Sequence, residues 1–224
     1  MRPSLCAALF FLTAPAVFCP VSATAGDDPL LDGLSVLITT SSGDTTSTIP
    51  VLASDVELVG RLLLLGSDAS VAVADRLDNA VRFQARRLAV LVRLLSHATN
   101  LVGETVNPAD QQAVVQWFIA RAGGMAAMDG ILNRCGASRS DLDYWTANFL
   151  LASRQLDYLR DQSDMPSETE LKIMFDKGNH RFGDMTWEEA ADAYSTMVKN
   201  EKLQEALRLW LSGVLVQGGV VFSQ

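Results

Sequence analysis

The run SDLDYWTANFLLASRQLDYLRDQ, residues 140–162, decides the fold class. Leu142, Trp145, Phe149, Ala152, Leu156 and Leu159 recur at three- and four-residue steps, which puts them on one face of a single long helix. Ser138 or Ser140 stands before it as a cap. Asp141 and Asp143 fall in its first turn, where negative charge suits the helix dipole.

The same grammar repeats on both sides. Downstream, Ser167 and Glu170 form a capping box behind Pro166 and open a short helix that ends at Lys177-Gly178. Thr186 with Glu189 makes another box. It opens a last helix through Tyr194, Met197, Leu203, Leu207 and Trp210 to about Val216, stopped by Gly218-Gly219. Upstream, a short helix from Met125 to Cys135 stops at Gly136, and Asn107-Pro108 opens another that reaches Gly123-Gly124. The spacing of Leu77, Val81, Leu88, Val92 and Leu95 predicts a helix from about Val71 to Thr99, with Arg76, Arg82, Arg86, Arg87 and Arg93 on its other side. Ser54-Asp55-Val56-Glu57 reads as a third box, opening a helix that ends near Gly66.

These elements predict an all-α fold. One strand, Leu34 to Thr39, and an extended Val220-Val221-Phe222 can pair as a minor β element that joins the N- and C-terminal segments. The Ser/Thr/Gly/Asp run from Thr40 to Thr48 reads as a flexible turn or loop, and Ile49-Pro50-Val51-Leu52 as the lead into a helix.

The N-terminus reads as an export signal. Met1-Arg2 gives a positive start, Ser4 to Ala25 carries no charge, and Ala23-Thr24-Ala25 is a small-x-small cleavage pattern. The alternative is an uncleaved anchor, since the stretch reaches the roughly 20 residues a bilayer requires. The expected organisation is a signal peptide at 1–25, a strand and Ser/Thr-rich loop at 26–49 and one helical domain at 50–224. The expected location is the periplasm of a bacterial envelope. The net charge of −8, made more negative by the loss of Arg2, disfavours nucleic acid as a partner. Cys6 and Cys19 leave with the signal, so Cys135 remains alone, without a disulfide and read as a buried thiol at a helix end.

Catalytic grammar is missing. His97 and His180 are the only histidines, and neither stands in metal-ligand spacing with a Cys or another His. There is no nucleophile elbow, P-loop or dinucleotide fingerprint. No enzyme activity, cofactor or metal is expected, although a His97–Cys135 nucleophile pair stays open on sequence separation alone. Residues 61–93 hold six basic and three acidic side chains, and 157–205 hold six and twelve, which suits two solvated faces or a basic lip on a groove. Large flexible and aromatic side chains suit binding of unfolded chains. Trp117, Phe118, Met125, Met128, Trp145, Phe149, Phe175, Phe182 and Trp187 are therefore the candidate peptide-binding residues, with Met174 beside them.

The motif from Met165 to Phe175, continuing to His180-Arg181-Phe182, follows the run Ile131 to Ser138 and the long helix from Asp141 to Arg160. In this order the chain resembles the N-terminal, peptide-binding chaperone module of SurA-type periplasmic proteins and the related parvulin-type prolyl isomerases. The resemblance covers about 50–224 and is most specific at 165–182. It implies a chaperone module that binds extended apolar segments of unfolded envelope proteins. It departs from the isomerases after Phe182, where Gly183-Asp184-Met185-Thr186 passes straight into the last helix and leaves no room for a parvulin domain. The alternative is a non-chaperone scaffold that holds one specific partner.

Overall fold

A computed structural model describes residues 34–42, 45–67, 77–101, 103–178, 180–183, 185–218 and 221–223. The proposed signal segment, with Cys6 and Cys19, and residues 71–76 of the expected second helix lie outside the described residues. The chain is mostly α-helical with a small antiparallel sheet. Strands β1 (Leu34–Ser42) and β2 (Thr45–Leu52) precede helices α1 (Ala53–Gly66), α2 (Asn79–Ser96), α3 (Pro108–Ala122), α4 (Met125–Cys135), α5 (Arg139–Asp161), α6 (Glu168–Asp176) and α7 (Trp187–Gly218). Strand β3 (Val221–Ser223) closes the order.

The sheet order is β2-β1-β3. Ile38 faces Phe222, so β1 and β3 pair the N- and C-terminal segments as expected. The expected loop at 40–48 is instead largely strand: β2 pairs with β1 through Val36↔Val51, Ile38↔Ile49 and Thr40↔Ser47. Two-residue alternation explains the difference. Ile49 and Val51 are buried while Thr48 and Pro50 are exposed, and the β-branched threonines suit extended backbone. Pro50 is tolerated because β2 is an edge strand. The expected boundary between residues 49 and 50 thus falls inside β2.

Caps explain most helix boundaries. Asn107 accepts from the Ala109 N–H, and Gly123 ends α3 in the left-handed region at φ 94°. Ser138 opens α5, with Asp141 accepting from its backbone N–H at 2.7 Å. Ser167 and Glu170 form the full reciprocal box, and Glu189 returns to the Thr186 N–H at 2.9 Å. The Ser54 box does not form. Asp55 is the residue that reaches back, to the Leu52 N–H at 2.8 Å, and Glu57 turns inward to pair with Arg82 at 2.6 Å. The second helix starts at Asn79, because Asp78 takes the cap position and accepts from Val81.

By its contacts the chain divides into two units, Met1–Gln155 with Val214–Gln224, and Leu156–Gly213. In the larger unit α1 packs against α2, α3 and α4. Leu58, Val59 and Leu62 of α1, Leu91 and Leu95 of α2, Met128 and Ile131 of α4 and Trp145 of α5 are buried in it. Gly60 lets α2 approach: a Cβ there would lie 2.6 Å from Leu77 Cδ1 and 3.3 Å from Ala85 Cβ. Arg121 of α3 donates to the carbonyls of Leu65 and Ser67, capping the end of α1. In the smaller unit Leu171 and Phe175 of α6 pack with Ala190, Tyr194 and Val198 of α7.

Candidate functional site

The nine candidate residues do not share one surface. Trp117, Phe118, Met125, Met128, Trp145 and Phe149 belong to the larger unit, and Phe175, Phe182 and Trp187 to the smaller. Phe118, Met128, Trp145, Phe149 and Phe175 are buried, so between an open groove and a closed core, which residue type leaves open, these five belong to core. The side chain of Trp145 is held there by a bond from Nε1 to Asp55 Oδ1 at 2.8 Å. Trp117 is half-buried, edge-on to Phe118 at 4.9 Å, with the Arg121 guanidinium over its ring. Met125 alone of the six is exposed.

In the smaller unit an aromatic cluster gathers around His180. Its ring stacks on Phe175 at 4.1 Å, and Phe182 and Tyr194 meet it edge-on at 5.8 and 5.5 Å. The backbone fixes its orientation. Nε2 lies 2.9 Å from the Phe175 carbonyl and Nδ1 accepts from the Phe182 N–H at 3.3 Å, which together define the neutral Nε2–H tautomer. His180 is therefore a clasp on the turn after α6. Burial, helped by the charge of Glu201, raises the Tyr194 pKa.

Outside that cluster Ile173 at 52 % exposure, Met174 at 38 % and Met185 at 44 % stand in water, as do Tyr158 and Leu209 on the long helices of the same unit. Sequence reasoning noticed Met174 and missed Ile173 and Met185. The available signal was the face of α6: Leu171 and Phe175, four residues apart, point inward, so Ile173, two residues from each, must point elsewhere.

The basic face of α2 is not a lip. Arg82 pairs with the buried Glu57, and Arg93 is buried, while Arg86 is exposed and Arg87 lies over the Phe83 ring. Arg76 lies outside the described residues. At the end of α2, Arg93 Nη1 donates to Asn148 Oδ1 at 3.1 Å, and Ser96 Oγ donates to the same oxygen at 2.8 Å. His97 Nδ1 sits 2.9 Å from the Arg93 carbonyl and 3.1 Å from Ser96 Oγ. His97 as a residue is exposed. Partial burial and then the Arg93 charge hold it below the ordinary imidazole value, against the opposing bond to the Arg93 carbonyl.

Cys135 takes no part in that cluster. Burial pushes its thiol up to about 11, and the charges acting on it are Arg61, Glu57 and Arg134 rather than His97. The His97–Cys135 nucleophile pair is therefore not formed, and a thiol so rarely ionised is a poor nucleophile. Among the described residues no three His, Cys, Asp or Glu side chains gather as a metal site, and no helix is long and apolar enough to cross a membrane.

Comparison with protein-family models, with characterised proteins and with solved structures finds no match to this chain. The SurA-type resemblance rests on the residues quoted for it alone.

Proposed function

We propose that this protein is an exported, non-catalytic module that binds extended apolar segments of unfolded envelope proteins in the periplasm, as the SurA-type resemblance implies. The observation that carries the reading is the exposed trio Ile173, Met174 and Met185 beside the aromatic cluster of the smaller unit. Unbranched, polarisable methionines adapt to varied apolar partners, which suits many weak clients. The site is therefore redrawn: Ile173, Met174 and Met185 join the half-buried Phe182 and Trp187, and Met125 remains a separate contact on the larger unit. Binding of this kind needs neither cofactor nor nucleotide.

The test is aggregation of a urea-unfolded outer-membrane protein diluted into buffer. Several-fold molar excess of the protein should suppress light scattering, and the Ile173→Ser/Met174→Ser/Met185→Ser variant should suppress it much less. Undiminished scattering with the wild type would defeat the proposal. A scaffold for one partner would instead recover a single stoichiometric protein from envelope extract and leave scattering unchanged.

A further inference from the structure

Arg93 is a permanently charged side chain held at 7 % exposure in the last turn of α2. Among the described residues, no carboxylate comes within ion-pair distance of it. Its Nη1 donates to a neutral amide oxygen on Asn148, and its buried Nε has no acceptor among the described residues. Burial raises the pKa of the neighbouring Tyr144, and Asp55 is the acid whose charge adds to that rise. Yet both Asp55 oxygens are engaged, one by Trp145 Nε1 and the other by the Leu52 N–H, each at 2.8 Å. Weaker sources of negative potential remain, among them the Tyr144 hydroxyl oxygen, which the Arg93 side chain meets. The last carbonyls of α2 supply a fraction of a charge, and the Tyr144 ring lies 5.0 Å from the guanidinium carbon. None of these is a counter-ion, and a buried cation lacking one is strongly disfavoured.

We propose that Arg93, with Ser96, Tyr144 and Asn148 around it, is a binding site for a carboxylate group. Tyr144 is 43 % exposed and lies over the guanidinium, so the cluster reaches the surface at that ring. Ser96 Oγ and Asn148 Nδ2 already donate within the cluster, to Asn148 Oδ1 and to the Tyr144 carbonyl, so the guanidinium is the donor left for a ligand and the one fixed positive charge. His97 is depressed below the ordinary imidazole value and supplies no second charge at neutral pH. A single negative charge matches that balance, and a phosphate dianion does not. The chain as a whole carries −8 and repels anions, so uptake at this point would be local chemistry and not bulk attraction. The site lies in the larger unit and stands independently of the peptide reading for the smaller one.

Isothermal titration tests it, with sodium acetate and N-acetylalanine as probes, N-acetylalanine amide as the uncharged control and inorganic phosphate as the competing anion, all at matched chloride ionic strength. Both carboxylates should bind saturably, the amide should not, and phosphate should bind more weakly than acetate. N-acetylalanine binding about tenfold tighter than acetate marks a chain-terminal carboxylate as the ligand, and equal binding marks small carboxylates generally. Arg93→Met should weaken acetate binding by at least about tenfold. Should that variant fail to fold, Tyr144→Leu at the surface should fold, checked by circular dichroism, and bind several-fold more weakly. The proposal is overturned by no saturable carboxylate binding at tens of millimolar, by equal binding of the amide, by phosphate binding more tightly than acetate, or by wild-type affinity in Arg93→Met or in folded Tyr144→Leu.

Discussion

In the larger unit Met128, Ile131 and Trp145 are buried with aliphatic residues of α1 and α2, and the charged Glu57, Arg61 and Arg93 are buried with them. The smaller unit holds a short α6 against α7, and there an aromatic cluster around His180 joins Leu171, Ala190 and Val198. Size explains the contrast. A larger core can bury ionic groups and still fold. Both units leave large apolar side chains in water: Leu52, Phe83 and Met125 in the larger, and Ile173, Met174, Met185 and Leu209 in the smaller, where they fall within a shorter length of chain. That denser exposure is what a binding role would use.

The largest effects should separate the units. Trp145→Ala removes a fully buried indole and its bond to Asp55, and should lower stability by about 3–5 kcal/mol. Cys135, inert while buried, should then react with a thiol reagent much faster under native conditions. Phe175→Ala should lower the stability of the smaller unit by about 3 kcal/mol. Hydrogen exchange should quicken in α6 and the start of α7, while Cys135 labelling stays at the wild-type rate. Equal quickening of Cys135 would show that the two units open together, and would break the comparison.

A smaller change probes the α1–α2 approach. Gly60→Ala gains about 1 kcal/mol of helix propensity but places a methyl against Leu77 and Ala85. The clash should win, for a net loss of about 1–2 kcal/mol in urea unfolding.

Acid should affect the units in different windows. His97 in the larger unit binds a proton more weakly folded than unfolded, so its contribution is complete above the unfolded value of about 6.5 and fades as pH falls below it. The ring is partly exposed, so the loss should stay below about 1 kcal/mol and vanish in His97→Gln. In the smaller unit the bonds from Ser167 hold Glu170 below the usual carboxylate range, and those from Thr186 do the same for Glu189. Their contribution should persist to about pH 4.3 and fade only below that. Melting curves between neutral pH and strong acid check both windows.

Local rules carried the helices and failed where a distant partner decides. The boxes at Ser167 and Thr186, the Asn107-Pro108 start and the Gly123 stop are contacts within a few residues, so spacing reveals them. Glu57 looked like a capping acid because its partner, Arg82, lies 25 residues away. Strand β2 was missed because its reason is the facing strand: without β1 the run from Thr45 is merely polar. Candidate binding residues were chosen by type, and type does not report exposure. Trp145 fitted the expectation and is core, whereas Ile173 was passed over and stands in water.

The most direct test of the binding reading compares exposed positions of the two units within one protein. A photo-crosslinking amino acid at Met174 in the smaller unit, and in a parallel variant at the exposed Phe83 of α2, would be irradiated with an unfolded outer-membrane protein present. The account predicts strong client crosslinks at 174 and weak ones at 83. No crosslink at 174, or equal crosslinks at both positions, would contradict it.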